Sequence, residues 1–179
     1  KYFDKVDSTQ NRIVQFLPNE TDGAVVVLAE SQSKGTGRLG RPWVAPVGGV
    51  WFTLAYPIKT LTVAQVAPFS MVASLAVAQA LKEVNNLQCE IKWPNDIRFE
   101  GKKVAGILLT TTAKFKNTWL LVGVGINVNN DLPAELAKEA ASIKSIRGQT
   151  QGRARLIEAV LANLWSYWED FHRTGFGPY

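Results

Sequence analysis

Residues 97–128, IRFEGKKVAGILLTTTAKFKNTWLLVGVGINV, decide the fold class of this chain. Two largely apolar runs, at residues 97–99 and 103–110, flank Glu100 and Gly101, and a short glycine-containing turn between such runs is typical of a β-hairpin. A third apolar run follows at residues 119–128. The segment therefore predicts strands that pair with one another in an antiparallel sheet.

The segments on either side alternate between strand-like and helix-like patterns. Further strands are predicted at residues 2–5, 23–30, 50–58 and 89–93, the last one broken by Pro94. Helices are predicted from capping residues at 7–10 to about 16, from 63 to about 84, at 133–138 and at 151–173. Hairpins mixed with helices predict an α+β fold with a mixed, largely antiparallel sheet and helices packed on one face. A length of 179 residues suits one domain over residues 1–179.

Residues 60–81 carry no charge and are long enough to cross a bilayer. The stretch also contains glutamines, serines and a proline, and many of its apolar residues are alanines. We therefore predict a helix buried in a protein core and no membrane association.

The composition excludes several classes of protein. Hydrophobic residues make up 46% and charged residues 20%, which argues against a disordered or fibrous chain. The single cysteine, Cys89, cannot form an intrachain disulfide and favours a reducing compartment, so we expect a cytoplasmic protein. With His172 as the only histidine, Ser-His-Asp catalysis, Cys-His catalysis and histidine-rich metal sites are disfavoured.

The charge distribution indicates an anionic ligand. The net charge is +5, and no Asp or Glu lies between Glu30 and Glu83. That acid-free stretch carries five cations: Lys34, Arg38, Arg41, Lys59 and Lys82. Either it forms an anion site, or much of it is core, where charges of both signs are rare.

Residues 31–49 are predicted to form a long loop, because they contain five glycines and two prolines without apolar periodicity. Its segment Gly35-Thr36-Gly37-Arg38-Leu39-Gly40 matches the spacing of a dinucleotide-binding loop, but no acidic residue follows about twenty positions later. A Walker loop requires a Gly-Lys-Ser/Thr sequence, and that sequence is also absent here. Glycine N–H groups with Arg38 and Arg41 can still bind phosphate. The alternative is a flexible surface loop with incidental cations.

Two later segments concentrate polar groups at strand ends. Residues 92–96, KWPND, place Asn95 and Asp96 where they could bind a nucleotide or a metal-bound phosphate, or simply form a turn into the hairpin. Lys103 begins an apolar strand, where its charge needs a partner. Gly106 lies within this strand and indicates close approach of a ligand or another backbone. Gly123 and Gly125 lie within the next apolar strand and indicate either the same close approach or β-bulges.

These segments, taken in order, closely resemble the catalytic domain of biotin–protein ligases. The matching motifs are Asp7-Ser8-Thr9 and residues 35–43 (GTGRLGRPW), 92–96 (KWPND), 103–108 (KVAGIL) and 123–127 (GVGIN). The resemblance covers nearly the whole chain. The KWPND segment is its most specific part and argues against the related lipoate ligases.

The resemblance implies a two-step reaction. The carboxylate of biotin attacks the α-phosphate of ATP, giving biotinoyl-5′-AMP and pyrophosphate, and a lysine amine of a biotin carboxyl carrier protein then displaces AMP. It implies catalytic roles for Lys103 and Arg38, and Mg²⁺ bound with ATP rather than at a metal site of the protein. The implied biotin-binding residues are Ser8, Thr9, Gln10, Gln32, Gly35, Thr36, Gly37, Arg38, Lys103, Gly106 and Gly123. The implied ATP-binding residues are Arg38, Arg41, Trp43, Asn95 and Asn127.

The chain departs from the family pattern in three places. Thr36 stands where the family often has a cation, and Gln10 stands where Asn is common. The resemblance extends neither to an N-terminal DNA-binding domain nor to the usual small C-terminal β-domain, so we expect the catalytic domain alone, without nucleic acid as a partner. An exposed edge strand of this fold could support a homodimer. A biotin-binding module without turnover, or a lipoate-type ligase of the same fold, are the alternative functions.

Overall fold

The computed structural model describes residues 1–20, 23–58 and 61–179, so Lys59 and Thr60 of the stretches discussed above lie outside the described residues. Seven strands form one sheet. In chain order they are β1 (Tyr2–Val6), β2 (Val25–Gln32), β3 (Val50–Ile58), β4 (Glu90–Lys92), β5 (Asp96–Phe99), β6 (Lys102–Lys114) and β7 (Asn117–Ile126).

The sheet order is β1-β2-β3-β7-β6-β5-β4, with β1 and β2 parallel and all other neighbours antiparallel. The predicted hairpin is confirmed as β5–β6, and Glu100 and Gly101 form its turn with φ of 48° and 77°. Strand β2 runs two residues further than predicted, since Ser31 and Gln32 pair with Lys5 and Val6 of β1. The glycine-rich loop therefore begins after Gln32.

Five α-helices in the described part of the chain accompany the sheet. They are α1 (Thr9–Ile13), α2 (Val63–Val66), α3 (Phe69–Asn85), α4 (Ile143–Arg147) and α5 (Arg153–Thr174). The prediction of one continuous helix over residues 63–84 was wrong at Pro68, which has no N–H to donate to the preceding turn, so α2 and α3 are separate. The short helix predicted at residues 133–138 is a single 3₁₀ turn at Ala134–Leu136, and α4 was not predicted.

The main core lies on one face of the sheet, where α3 and α5 pack, which confirms the predicted fold class. Tyr56 of β3 stacks on Trp168 of α5 at 4.6 Å between ring centroids. The structure adds a smaller cluster on the opposite face, where Ile13 of α1 packs with Trp119 of β7. This second face carries α1 and so brings the residues of its N-terminus next to the centre of the sheet.

Within the described residues, one helical run, Val63–Asn85, is long and apolar enough to span a membrane by length and composition alone. A core helix meets the same criterion. Nine residues of α3 are buried, and seven of them belong to the main core against the sheet and α5. This packing agrees with the prediction of a buried helix.

Candidate functional site

A cavity of about 700 Å³ opens on the face of the sheet that carries α1. The link between β1 and α1, the glycine-rich loop, and strands β5, β6 and β7 all contribute to its walls. The structure brings all the site residues expected from the sequence to this cavity except Gly35. The expected residues in its lining are Ser8, Thr9, Gln10, Gln32, Thr36, Gly37, Arg38, Arg41, Trp43, Asn95, Lys103, Gly106, Gly123 and Asn127.

Gly35 instead shapes the loop behind the cavity wall. Its carbonyl accepts a hydrogen bond from the backbone N–H of Trp43 at 2.9 Å. A Cβ at this position would lie 2.4 Å from the Trp43 carbonyl oxygen, so only glycine allows the two loop segments to pack this closely. Gly35 therefore helps to place the Trp43 side chain.

One end of the cavity, here called the polar end, consists of neutral hydrogen-bonding groups around the start of α1. Ser8 caps this helix, with its Oγ accepting from the backbone N–H of Gln10 at 3.2 Å. The backbone N–H and hydroxyl of Thr9 donate to Gln32 Oε1 at 2.7 and 3.1 Å. Because a backbone N–H can only donate, Gln32 must turn its NH₂ the other way. The Ser8 hydroxyl proton and the Gln32 amide are the donors that this end can offer to a ligand.

Gln10 closes the back of the polar end with an amide that the protein itself occupies. Its Nε2 donates to the Leu108 carbonyl at 3.3 Å and to Thr110 Oγ1 at 2.9 Å. Its Oε1 lies 2.9 Å from the hydroxyl of Thr53, and a Cβ on Gly123 would lie 2.6 Å from the same oxygen. These partners hold the Gln10 side chain in place, so it limits the depth of the cavity.

Thr53 was not predicted from the sequence as a site residue, although its hydroxyl contacts both Thr9 and Gln10 at the polar end. It is fully buried on β3, and its hydroxyl also lies 2.9 Å from that of Thr9. The available signal was a hydroxyl within the otherwise apolar run VWFTLA, where a buried polar group needs a partner. Its partners come from distant residues, which explains why the run alone did not identify them.

Two facing glycines form a flat floor at the centre of the cavity. Gly106 of β6 and Gly125 of β7 are cross-strand partners, and the indole of Trp43 lies on them. A Cβ at Gly125 would lie 2.7–2.8 Å from three indole atoms, and one at Gly106 would lie 3.2 Å from the ring. These two glycines therefore allow close approach of a side chain and are not bulges. Their lack of a Cβ lets the Trp43 indole pack directly on the sheet as an aromatic wall of the cavity.

The other end of the cavity, here called the cationic end, is dominated by positive charge. Among the described residues that line the cavity, five are cations and two, Asp96 and Glu139, are carboxylates. The cations are Arg38, Arg41, Lys92, Arg98 and Lys103. Converging positive charge of this kind favours a phosphate or carboxylate ligand.

Lys103 is held at this end by its backbone and by one ion pair. Its backbone N–H donates to the Glu139 carbonyl at 2.8 Å, and its carbonyl accepts from Ala141 N at 3.0 Å. The Nζ lies 2.6 Å from Asp96 Oδ1, with the two side chains 27% and 23% exposed, and 5.0 Å from the centroid of the Trp43 ring. Asp96 was expected from the sequence as a possible ligand of a metal-bound phosphate, and the structure places it as the partner of Lys103.

Asn95 and Arg38 meet across the mouth of the cationic end. Asn95 Nδ2 donates to the Ile107 carbonyl at 2.7 Å, which turns its Oδ1 toward Arg38 Nη1 at 3.4 Å. Arg38 is itself solvent-exposed. This single long contact leaves most of the guanidinium donors available to a ligand.

An ion pair anchors the C-terminal base of the glycine-rich loop. Glu30 Oε1 accepts from Arg153 Nη1 at 2.8 Å and from Gly48 N at 3.3 Å, while Arg153 also donates to the Gly49 carbonyl at 3.0 Å. Burial acts to raise the pKa of the Glu30 carboxyl, but the hydrogen bond and charge of Arg153 outweigh it and hold that pKa below its usual value. The loop thus starts and ends on fixed points of the sheet.

The profile of the biotin/lipoate A/B protein ligase family matches residues 2–127. The bifunctional ligase/repressor BirA of Bacillus subtilis is 34% identical over 182 residues, which cover 99% of this chain and 56% of that protein. The biotin–[acetyl-CoA-carboxylase] ligase of Paracoccus denitrificans is 35% identical, covering 97% of this chain and 75% of that protein. The chain thus spans little more than half the length of the Bacillus relative.

A solved structure similar to this one is the biotin protein ligase from Aquifex aeolicus in complex with biotin and ATP. It aligns with a TM-score of 0.81 and 31% sequence identity, covering 98% of this chain and 72% of that one. The sheet and helices described above are thus those of a biotin protein ligase catalytic domain.

Proposed function

Because this chain belongs to the biotin/lipoate A/B protein ligase family, we propose that it activates biotin with ATP and transfers it to a lysine of a biotin carboxyl carrier protein. The observation that carries the proposal is a single cavity that joins a neutral polar end to a cationic end across the glycine floor. Gly123 of β7 lies against Gln10 at the polar end. Asn127 lies four residues further along the chain, directly after the end of β7. At the rise of a strand the two are about 13 Å apart, which suits an elongated ligand with a polar head and an anionic tail.

The polar end would bind the ring system of biotin. A cyclic urea carries a carbonyl acceptor and two N–H donors, and Ser8, Thr9 and Gln32 offer hydroxyl and amide groups for both. Gln10 and Gly123 would form the wall behind the rings, since the Gln10 amide is occupied by protein partners. Thr36 and Gly37 of the glycine-rich loop, which line the cavity, would close over the bound ligand.

The cationic end would hold the reacting groups. A carboxylate oxygen of biotin attacks the α-phosphorus of ATP. The bond between that phosphorus and the oxygen that bridges the α- and β-phosphates breaks, and this oxygen leaves as part of pyrophosphate. Both reactants are anions, so cations preorganised around the reaction centre lower the barrier. Lys103 and Arg38 are the proposed catalytic residues, and Arg41, Trp43, Asn95 and Asn127 are proposed to bind ATP. Lys103 would exchange its present partner, Asp96, for the biotin carboxylate.

The second step needs no nucleophile from the enzyme. The neutral lysine amine of the carrier attacks the acyl carbon, the acyl–phosphate bond breaks, AMP leaves, and the amine loses a proton. Among the described residues, no histidine or cysteine lines the cavity.

Mg²⁺ is proposed to arrive with ATP as part of the substrate. Among the described residues no group of three or more His, Cys, Asp or Glu side chains could hold a metal ion by itself. Asp96, and the amide oxygen of Asn95, are the hard oxygen groups near the phosphates that could complete the ion's coordination. They lie at the cationic end, where the triphosphate would bind.

We also propose a cytoplasmic location and a homodimer. Strand β5 pairs with β6 only as far as Gly106, whereas β6 continues to Lys114. No described strand covers the outer edge of β6 beyond the pairing with β5, and an unpaired edge of this length can add a strand from a second copy.

The test is biotin-dependent exchange of labelled pyrophosphate into ATP, followed by transfer to a purified carrier domain. The proposal predicts exchange with biotin and none with lipoate. Exchange with lipoate alone would identify a lipoate-type ligase. Tight biotin binding in calorimetry without exchange would identify a binding module, and either result would reject the proposed activity.

A further inference from the structure

Two buried asparagines lie in series beside the cationic end of the cavity. Asn127 and Asn130 are 3% and 1% exposed. The backbone N–H of Val128 donates to Asn130 Oδ1 at 3.0 Å, and Asn130 Nδ2 donates to Asn127 Oδ1 at 3.1 Å. Asn127 lines the cavity, whereas Asn130 is not among the described residues that do so.

This series determines which way the Asn127 amide points. The oxygen and nitrogen of an amide have nearly the same shape, so their assignment follows from their partners. A backbone N–H can only donate, so the oxygen of Asn130 must face Val128. Its NH₂ group then faces Asn127 and needs an acceptor there, which turns the Asn127 oxygen inward and its own NH₂ outward.

The outward NH₂ of Asn127 is available to a ligand. The Asn127 backbone is fixed on both sides, because its N–H donates to the Val104 carbonyl at 2.8 Å and its carbonyl accepts from Ile143 N at 2.9 Å. Nδ2 has no acceptor within the described part of the chain, nor is it one of the fully enclosed polar atoms without a partner. It therefore keeps access to the cavity that Asn127 lines.

We propose that Asn130 is a positioning residue that holds Asn127 as a hydrogen-bond donor toward the nucleotide half of the site. The group it recognises is an acceptor atom, either on the nucleoside or on the phosphates. The proposal rests on the proposed function, which places ATP at this end. It adds a residue that contacts no substrate but sets the hydrogen-bonding sense of one that does.

The substitution Asn130→Asp tests this directly. The carboxylate still accepts from Val128 N–H but cannot donate to Asn127, so the Asn127 amide rotates by half a turn and presents its oxygen to the cavity. The Asn127 NH₂ that faces an acceptor of the nucleotide is then replaced by the Asn127 oxygen, so two acceptors face each other. We expect the KM for ATP in pyrophosphate exchange to rise roughly tenfold, the size of one lost hydrogen bond. The KM for biotin should stay close to that of the parent protein.

The matched control is Asn129→Asp, which adds the same charge one residue away. The amide of Asn129 accepts from the backbone N–H of Gln151 and donates to its carbonyl, and neither of these hydrogen bonds involves Asn127. It should keep the parental KM for ATP. Equal changes in the two variants would overturn the proposal.

A double variant separates positioning from general damage. Once Asn127→Ala removes the amide, adding Asn130→Asp should change the KM for ATP no further. A further loss would show that Asn130 acts through the fold and would overturn the proposal. If Asn130→Asp fails to fold, Asn127→Asp presents an oxygen to the cavity with the Asn130 contact intact, and a parental KM there would also overturn it.

Binding measurements keep this inference distinct from the proposed activity. If the parent protein shows no exchange, calorimetry with ATP still compares Asn130→Asp with Asn129→Asp. Competition by adenosine weakens in Asn130→Asp if the acceptor lies on the nucleoside, and competition by inorganic tripolyphosphate weakens if it lies on the phosphates. Both results support the proposal, and unchanged binding of ATP overturns it.

Discussion

Replacing Gly125 by alanine should impair the use of ATP without impairing the use of biotin. The new Cβ would lie 2.7 Å from the nearest atom of the Trp43 indole, where ordinary contacts begin at 3.4 Å, so the ring must retreat by about 0.7 Å. Displacement of a positioning group by about 1 Å can cost a hundredfold in rate. We therefore expect kcat/KM for ATP to fall by roughly ten- to a hundredfold.

The same substitution two residues earlier is the matched control. Gly123→Ala puts its Cβ 2.6 Å from Gln10 Oε1 at the polar end, and its nearest neighbours belong to Gln10 and Leu108 rather than to the indole. It should raise the KM for biotin and leave the KM for ATP close to parental. Both variants crowd a neighbouring side chain, and the reduced conformational freedom of the unfolded chain offsets about 0.4–1 kcal/mol of that cost. Urea unfolding of the two variants therefore separates a loss of stability from the changes in KM.

The assay is pyrophosphate exchange with each substrate varied in turn, together with urea unfolding. If Gly125→Ala raises the KM for biotin as much as that for ATP, the Trp43 wall does not separate the two halves of the site. If it changes neither constant, the indole does not contact the nucleotide.

Four further outcomes are expected. Lys103→Gln should slow single-turnover formation of the adenylate roughly a hundredfold, more than it weakens biotin binding in calorimetry, since one preorganised cation contact is worth about 3 kcal/mol. Arg38→Gly should still form adenylate but lose it to solution, so that a streptavidin blot shows more labelling of bystander albumin than the parent protein gives. Residues 33–43 should become resistant to protease when biotin or biotinoyl-AMP is added, and equal cleavage with and without ligand would contradict this. Because the pKa of Glu30 is lowered in the folded state, its ionised carboxylate stabilises the fold at pH values above the ordinary pKa of a glutamate, and this stability is lost as the pH falls through the folded pKa. In urea unfolding measured against pH, Glu30→Gln should therefore reduce the decline in the free energy of unfolding at acidic pH.

The sequence predicted those elements whose causes are local. Strand β3 has the predicted bounds Val50–Ile58, since a run of apolar and β-branched residues ends there. The β5–β6 hairpin follows from Glu100 and Gly101, which adopt the positive φ that a tight turn needs. The Ser8 cap and the start of α1 follow from neighbouring side chains.

Predictions failed where the cause was a distant partner. Ser31 and Gln32 look like loop residues in isolation, but β1 supplies the backbone hydrogen bonds that extend β2 through them. Nothing near residues 9–13 indicates that α1 would cover the face of the sheet opposite α3 and α5. Helix α4 has only five residues, too few to show a helical period in the sequence.

For the site, the sequence alone determined which chemical groups are present: the glycine-rich loop, the cations Arg38 and Lys103, the KWPND segment and the strand glycines. Only the tertiary structure decided how they combine. The pairing of Gly106 with Gly125 under Trp43, the contact of Lys103 with Asp96, and the orientation of Asn127 each depend on strand register or on the turn after β7. A shift of one residue in register would turn every side chain of a strand to the other face, so these contacts exist only once the whole sheet has formed.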